Sequence, residues 1–392
     1  MIQRTLHPIL TKAAQEMPVV AVVGPRQSGK TTLCRAAFPH HAYVSLEPLD
    51  NREFATSDPR GFLRQYSGPA ILDEAQRAPE LFSYLQEAVD LDPSPGRFIL
   101  TGSEHFGLSQ QISQSLAGRV RLLSLLPLSA EELEGGGFEI ADPWRCLCTG
   151  GYPRIRDREL SPDPWLADYT ATYVQRDVRQ VLQVTNLAAF STFLRLTAAR
   201  TGQELNLSTL GGDAGVSHNT ARSWLSVLEA GFVLFQLPPW LRNLRKRAIK
   251  APKLHFVDSG LACHLLGIRE PEQLATHPLR GAIFESWVAS EILKWRLHRG
   301  LSADLFHLRE TRGFEVDLMV ECARSILAVE VKSAETVASD FLDGLRGLRK
   351  RMKGSGEELD LHRRLVYGGN RAQSRTDAEI IPWNQVHHPG WE

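Results

Sequence analysis

Between residues 24 and 31 the chain reads Gly-Pro-Arg-Gln-Ser-Gly-Lys-Thr, a spacing of residue types suited to holding phosphate. Gly24 and Gly29 permit a tight curl, so that Pro25, Arg26, Gln27 and Ser28 wrap an anion to which backbone N–H groups turn. Lys30 then brings an ammonium to the β and γ phosphates of ATP. The Thr31 hydroxyl takes a coordination position on Mg²⁺, and Thr32 belongs to the same phosphate-contacting turn. Further on, an apolar run closes in Asp73-Glu74. Asp73 is expected to hold the Mg²⁺ shell, and Glu74 to orient and polarise an attacking water, which favours hydrolysis over phosphoryl transfer to a metabolite. A third apolar run ends in hydroxyls, where either Thr101 or Ser103 could sense the γ phosphate or the water. Arg119 has two readings: a finger or sensor acting on a neighbouring subunit's nucleotide, or a salt bridge beside a strand.

A second constellation lies towards the C-terminus. Period-two alternation puts Phe314, Val316, Leu318 and Val320 on one face of a strand and Glu315, Asp317 and Glu321 on the other. In the next strand Glu330 and Lys332 share a face. If the faces align, Asp317 and Glu330 make a two-carboxylate Mg²⁺ site, Lys332 stands beside it to activate water, and Glu285 on the preceding helix adds a further carboxylate. That is the layout of a D…E-x-K nuclease core. A solvated sheet face and a non-cutting copy of such a fold are the alternatives, although charges on an apolar strand pair are costly to bury without partners.

Between the two lies a helix-turn-helix pattern. Residues 207–217 read as a short helix and a Gly-containing turn, and residues 218–229 as a second helix capped by Ser217, with Ala221, Leu225 and Leu228 inward. His218, Asn219, Arg222 and Ser223 fall on the outer side, where a recognition helix meets a groove. A basic hairpin follows with Arg242, Arg245, Lys246, Arg247, Lys250 and Lys253 and no acid among them. Such a wing can contact DNA phosphates, though winged helices also dock proteins and a basic hairpin can simply be solvated.

The elements that position these groups alternate. Strands are expected at 19–23, 42–47, 69–73, 97–103 and 120–126, separated by helical stretches, which predicts a parallel sheet covered on both faces. Glycines 135–137 mark the exit from it. Residues 141–200 read as helices forming a lid over the nucleotide, with Trp165, Tyr169, Tyr173, Leu182 and Phe190 at helical intervals. Beyond residue 280 a helix and three strands follow. The expected divisions are a P-loop core at 1–140, a helical lid or linker at 141–200, a winged helix at 201–270 and, at 271–392, an α/β domain with the restriction-endonuclease-like layout of the D…E-x-K core.

Composition narrows the class. Forty-five basic and 45 acidic residues leave no net charge, so global charge argues for neither a nucleic-acid nor a membrane partner. Five cysteines, only Cys146 and Cys148 close together, fit neither a disulfide framework nor paired metal knuckles. With no leader-like start and no membrane-length apolar run, a soluble cytoplasmic protein is expected.

Taken together, VVGPRQSGKTT, AILDEAQ, FILTGS, SLAGRV, GGYPRIRD, KLHFVDSGLACHLLG, GAIFESWVASEIL, FEVDLMVE and AVEVKSAE resemble the prokaryotic AAA-type ATPases. Those proteins combine an N-terminal P-loop domain, a winged helix and a C-terminal domain of unknown function with a restriction-endonuclease-like fold. The resemblance covers nearly the whole chain. It implies an α/β P-loop ATPase using ATP and Mg²⁺, with nuclease-like domain attached, that assembles as a ring or other homo-oligomer. Gly24, Gly29, Lys30, Thr31, Asp73, Glu74, Glu285, Asp317, Glu330 and Lys332 match its motif positions. Two functions follow as expectations: an ATP-driven machine acting on branched or duplex DNA, or a nucleotide-dependent switch for protein partners with a non-cutting scaffold.

Overall fold

Five consecutive apolar residues, Val19 to Val23, are best satisfied by a strand covered on both faces, and the computed structural model contains one. Val19, Ala21 and Val23 of this strand (β1) pack with Leu72, Phe82 and Leu100, whereas Val20 and Val22 pack with Leu6, Leu10 and Leu33. Each buried valine contributes about 1.5–3 kcal/mol, so two-sided burial is what keeps β1 central. Around it run β2 (Ala42–Ser45), β3 (Ala70–Asp73), β4 (Phe98–Gly102) and β5 (Val120–Ser124), all parallel, in the order β2-β3-β4-β1-β5.

The structure describes residues 2–103, 115–138, 140–174, 186–240, 251–310, 313–322, 325–355 and 360–392. Arg242, Arg245, Lys246, Arg247, Lys250 and Leu182 lie outside the described residues. The chain forms two units, one of residues 1–128 with 230–232 and 297–301, the other of residues 129–229 with 233–296 and 302–392. Among the described residues no helix is long and apolar enough to cross a membrane.

In the second unit Tyr169 and Phe190 of the aromatic stripe are core and Trp165 packs against them, while the Tyr173 side chain lies outside the described residues. Tyr152, Tyr169, Phe190 and Phe193 share one cluster with Leu210, Ala221, Trp224, Leu225 and Leu228 of the two-helix turn. The expected lid helices and helix-turn-helix are therefore a single packed body, and the stripe finds its partners there. Helices Leu207–Asp213 and His218–Ala230 are framed by a three-stranded antiparallel sheet, with β6 (Gln203–Glu204) before them and β7 (Leu234–Leu237) and β8 (Lys253–Phe256) after them, and β8 central. The Ser217 hydroxyl accepts from the Thr220 amide at 3.1 Å and caps the second helix.

A six-stranded mixed sheet completes this unit, in the order β13-β14-β12-β11-β10-β9. Its strands are β9 (Leu305–Arg309), β10 (Glu315–Glu321), β11 (Ser325–Lys332), β12 (Asp360–Tyr367), β13 (Gln373–Ser374) and β14 (Glu379–Pro382). The expected alternation in β10 fails midway. Val316 pairs with Leu308 and Met319 with Phe306, so Asp317 and Leu318 together face His307 alone. This bulge puts Met319, rather than Leu318, into the cluster that holds Val316. Helix Arg280–Leu297 is buried on nearly every side, and its polar groups find internal partners. Ser286 accepts from the Phe256 amide at 3.1 Å, and Glu291 pairs with Lys294 at 2.8 Å.

Asp258 ties two stretches of the second unit together. It is 1% exposed, caps helix Ser259–Leu265 through the Leu261 amide (3.0 Å), and accepts from the Gly151 amide at 2.7 Å. Asp258→Ala leaves two buried amides without an acceptor, each costing about 1–3 kcal/mol, so urea unfolding should show a loss of about 2–6 kcal/mol. Asp258→Asn, which keeps one acceptor oxygen, should recover part of it.

Candidate functional site

The loop after β1 ends against helix Lys30–Ala37, the arrangement in which amides face an anion. Gly24 is required by space: a Cβ there would lie 2.1 Å from the Leu125 carbonyl oxygen. Gly29 precedes the helix at φ 93°, a left-handed conformation that favours glycine. Lys30, 6% exposed, donates to the carbonyls of Gly24 (3.0 Å) and Pro25 (2.8 Å). Burial pushes its ammonium down to about 8, and Glu74 and Asp73 offset part of that. Pro25 and Ser28 are buried, Arg26 and Gln27 half-buried, and Thr32 exposed. Ser28 Oγ is buried without a hydrogen-bond partner among the described residues.

The acids stand where the sequence predicted them. Asp73 Oδ1 accepts from Thr31 Oγ1 (2.7 Å) and Thr101 Oγ1 (2.5 Å), and Oδ2 accepts from Tyr43 Oη at 3.0 Å. The choice between Thr101 and Ser103 is thereby divided between the two acids. Thr101 belongs to Asp73, while Ser103 donates to Glu74 Oε2 at 3.0 Å. Gln76 Nε2 donates to the same Glu74 oxygen at 2.6 Å. Glu74 sits at φ 55° and ψ 45°, a strained backbone for a non-glycine residue that costs of order 1–3 kcal/mol and typically marks a functional position.

The residues present fit a Mg²⁺–nucleotide. Thr31 and Asp73 offer adjacent oxygens, the donor type a hard cation prefers, beside a glycine-built cradle and an orphaned serine hydroxyl.

Sequence reasoning missed three supports of this site. Arg4, only 7% exposed, donates to the carbonyls of Ser28 and Leu126, each at 2.6 Å, and so clamps the loop from the N-terminal segment. No spacing rule points to it. Tyr43 follows the same pattern, being adjacent to Asp73 only because β2 pairs with β3. Gln76, inside the Asp-Glu-Ala-Gln run, had a local signal.

Within the chain, Arg119 makes the strand-flanking salt bridge of its second reading. It precedes β5, whose Val120 pairs with Val19 at the start of β1, so it lies at the sheet edge opposite the phosphate loop. There it binds Asp90 at 2.5 and 3.0 Å. It does not reach the phosphate loop of its own domain.

The C-terminal acids do converge, but with an unforeseen partner. Asp317 Oδ2 and Glu330 Oε2 flank Lys332 Nζ at 3.2 and 2.9 Å, as expected for the triad. Glu285 joins them through Lys253, whose ammonium lies 2.9 Å from Glu285, 2.7 Å from Glu315 and 4.0 Å from Asp317. Lys253, a member of the basic run expected to form the wing, is 2% exposed and serves this internal cluster instead. The reason is the register of β8, central in its sheet and fully buried. The two-carboxylate site expected beside Lys332 thus carries a second ammonium group, that of Lys253. Burial opposes the charge on Lys253, but Glu285, Asp317 and Glu315 hold its pKa above the ordinary value. Burial would raise Asp317 too, yet Lys332, Lys253 and the Val331 amide hold it below the carboxylate range.

On helix His218–Ala230, His218, Asn219, Arg222 and Ser223 are all exposed.

Burial, and secondarily Asp317, pushes the Glu330 carboxyl up to about 9 and Glu285 up to about 7. Both acids hold their protons more tightly folded than unfolded. Their contribution to stability is complete below the ordinary carboxyl value and is lost as pH rises through about 7 and then about 9. Thermal melts should therefore fall from mildly acidic pH to about 9, and Glu330→Gln should flatten that slope. Equal slopes in the two proteins would contradict the assignment.

Comparison with known proteins agrees with the nucleotide geometry. Residues 16–134 match a family described as an AAA domain. Residues 141–272 match a domain of unknown function (DUF8612), and residues 280–386 a second one (DUF4143). The uncharacterized protein Rv2008c of Mycobacterium tuberculosis and the uncharacterized protein Mb2031c of Mycobacterium bovis are each 31% identical over 384 residues. The alignment covers 96% of this chain and 82% of either relative. Among solved structures, the Walker-type ATPase of Pyrococcus abyssi is similar at 15% identity and a TM-score of 0.45, covering 68% of this chain and 96% of that one. The chain belongs to the family of these two mycobacterial proteins, and its residues 16–134 form an AAA domain.

Proposed function

We propose that the chain hydrolyses ATP with Mg²⁺ and couples the nucleotide cycle to DNA binding through a winged helix, while its restriction-endonuclease-like domain acts as a scaffold. The observation that carries the first part is the placement of two successive carboxylates. Asp73 is held by Thr31 at the phosphate loop, and Glu74 is held one residue further by Gln76 and Ser103. When bound, Mg²⁺ would be held by Thr31 and Asp73 and would shield phosphate charge. Lys30 contributes a positive charge at the loop, and Glu74 accepts a hydrogen bond from the attacking water and orients it. Arg4 keeps the loop in its curled shape.

DNA contact is supported by the exposed set His218, Asn219 and Arg222 on the second helix of a two-helix turn followed by antiparallel strands. The scaffold reading is supported by Lys253, which already supplies a cation between Glu285 and Asp317. Removing it would strand buried carboxylates at a cost of about 3–5 kcal/mol. The same observation favours a second reading of the whole chain, a nucleotide-dependent switch that docks protein partners through the same helix.

ATP turnover should be measured alone and with single-stranded, duplex and four-way-junction DNA. Glu74→Gln is expected to bind ATP while hydrolysis drops by about 10²-fold or more, and Lys30→Ala to weaken nucleotide binding. Turnover in Glu74→Gln equal to that of the parent would sink the role of Glu74. Stimulation by one DNA form, reduced in Arg222→Ala, is expected under the first reading; a flat response moves the assignment to the protein switch. No Mg²⁺- or Mn²⁺-dependent cutting is expected. Cutting that Asp317→Ala abolishes would overturn the scaffold reading.

A further inference from the structure

Glu134 and the pair His387-His388 stand 253 and 254 positions apart in the chain, yet their side chains meet. Glu134 Oε2 lies 2.8 Å from His387 Nε2 and 3.7 Å from His388 Nε2, and one ligand atom from each of the three residues falls within 4.8 Å of the others. The two imidazoles press edge to face, with centroids 4.4 Å apart and planes at 78°. A carboxylate–histidine hydrogen bond accounts for one of these rings. It leaves the second unexplained, aimed at the same oxygen.

We propose that Glu134, His387 and His388 bind a zinc ion that fastens the C-terminal segment to helix Ala130–Gly135. Three ligand atoms each about 2.0–2.2 Å from a tetrahedral zinc are separated from one another by about 3.3 Å, and the two distances to Oε2 fall on either side of that value. Two imidazoles with one carboxylate form a nitrogen-rich set, which suits zinc and not Mg²⁺ or Ca²⁺. Three protein ligands leave a fourth position for water, and Glu134 and His388 are both exposed on the solvent side.

Both ligand-bearing segments are held rigidly, as an ion site needs. Helix Ala130–Gly135 begins with a reciprocal Ser129–Glu132 capping box, and the Ala130 amide donates to Glu291 Oε2 at 2.6 Å. At the other end Trp383 and Trp391 are buried. Trp391 Nε1 donates to the Val386 carbonyl at 2.8 Å, and Arg296 donates to the Trp391 carbonyl at 2.5 Å. His387 is itself 8% exposed, and its Nδ1 has no hydrogen-bond partner among the described residues, so Nε2, the nitrogen facing Glu134, makes the ring's polar contact. This site is independent of the nucleotide and acidic sites, and shares no residue with either.

The test is zinc titration of the full, chelator-stripped chain in competition with a chromophoric chelator, alongside thermal melts with and without zinc. One tight equivalent is expected, with a rise in melting temperature that Mg²⁺ does not reproduce. His388→Ala and Glu134→Gln change exposed positions and should leave the fold intact. Each should weaken zinc by tenfold or more, since even indirect supports of a metal ligand are worth about 10–100-fold. Cobalt substitution should give a spectrum without a thiolate charge-transfer band. Saturable zinc binding unchanged in both variants, a thiolate band, or no binding at micromolar zinc would each overturn the proposal.

Discussion

The parallel direction of β1 to β5 is the constraint on which the nucleotide site depends. Because all five strands run the same way, their carboxyl ends share one edge, and ligands of such sheets gather there. The phosphate loop leaves β1, Asp73 and Glu74 end β3, and Thr101 and Ser103 end β4. Their convergence on one another follows from register alone, since Val22 pairs with Thr101 and Ser45 with Asp73. The same polarity removes Arg119 to the other edge. Two-sided burial of β1 then makes the arrangement stiff, because displacing the strand would expose two cores at once.

Buried charge governs the second unit in the same way. Glu285, Asp317 and Glu330 are buried acids from a helix and two strands, with the half-exposed Glu315 beside them; Lys253 and Lys332 stand between them, and burial keeps a proton on Glu330 up to about pH 9. A cation from β8 thereby locks the three-stranded sheet to the acidic end of the six-stranded one. Breaking such a pair from one side costs far more than the pair contributes net. The bulge at Asp317 and Leu318 belongs to this economy of charge: it turns the carboxylate to the Val331 amide and Lys332 while Met319 keeps the apolar contact. His307, opposite the bulge, is driven down to about 4 by burial and then by Lys253, so it stays neutral beside the cluster.

The sequence by itself determined whatever depends on local spacing. The glycine-rich turn, the strand ends bearing Asp73 and Glu74, the Ser217 cap and the inward positions Ala221, Leu225 and Leu228 are set by neighbours a few residues away, and all were legible. The meeting of Asp317, Glu330 and Lys332 was legible too, because two adjacent antiparallel strands carry them. Only the tertiary structure decided the rest. Arg4 on the loop, Tyr43 on Asp73, Lys253 among the acids and the Glu134–histidine contact join residues separated by tens to hundreds of positions. The run of cations without an acid placed Lys253 in an exposed wing; the central place of β8 in its sheet put it inside, where Glu285, Glu315 and Asp317 made burial cheaper than exposure. The physical reason is common to all of them: side-chain periodicity is written locally, whereas the partner of a buried polar group is chosen by how whole sheets and helices pack.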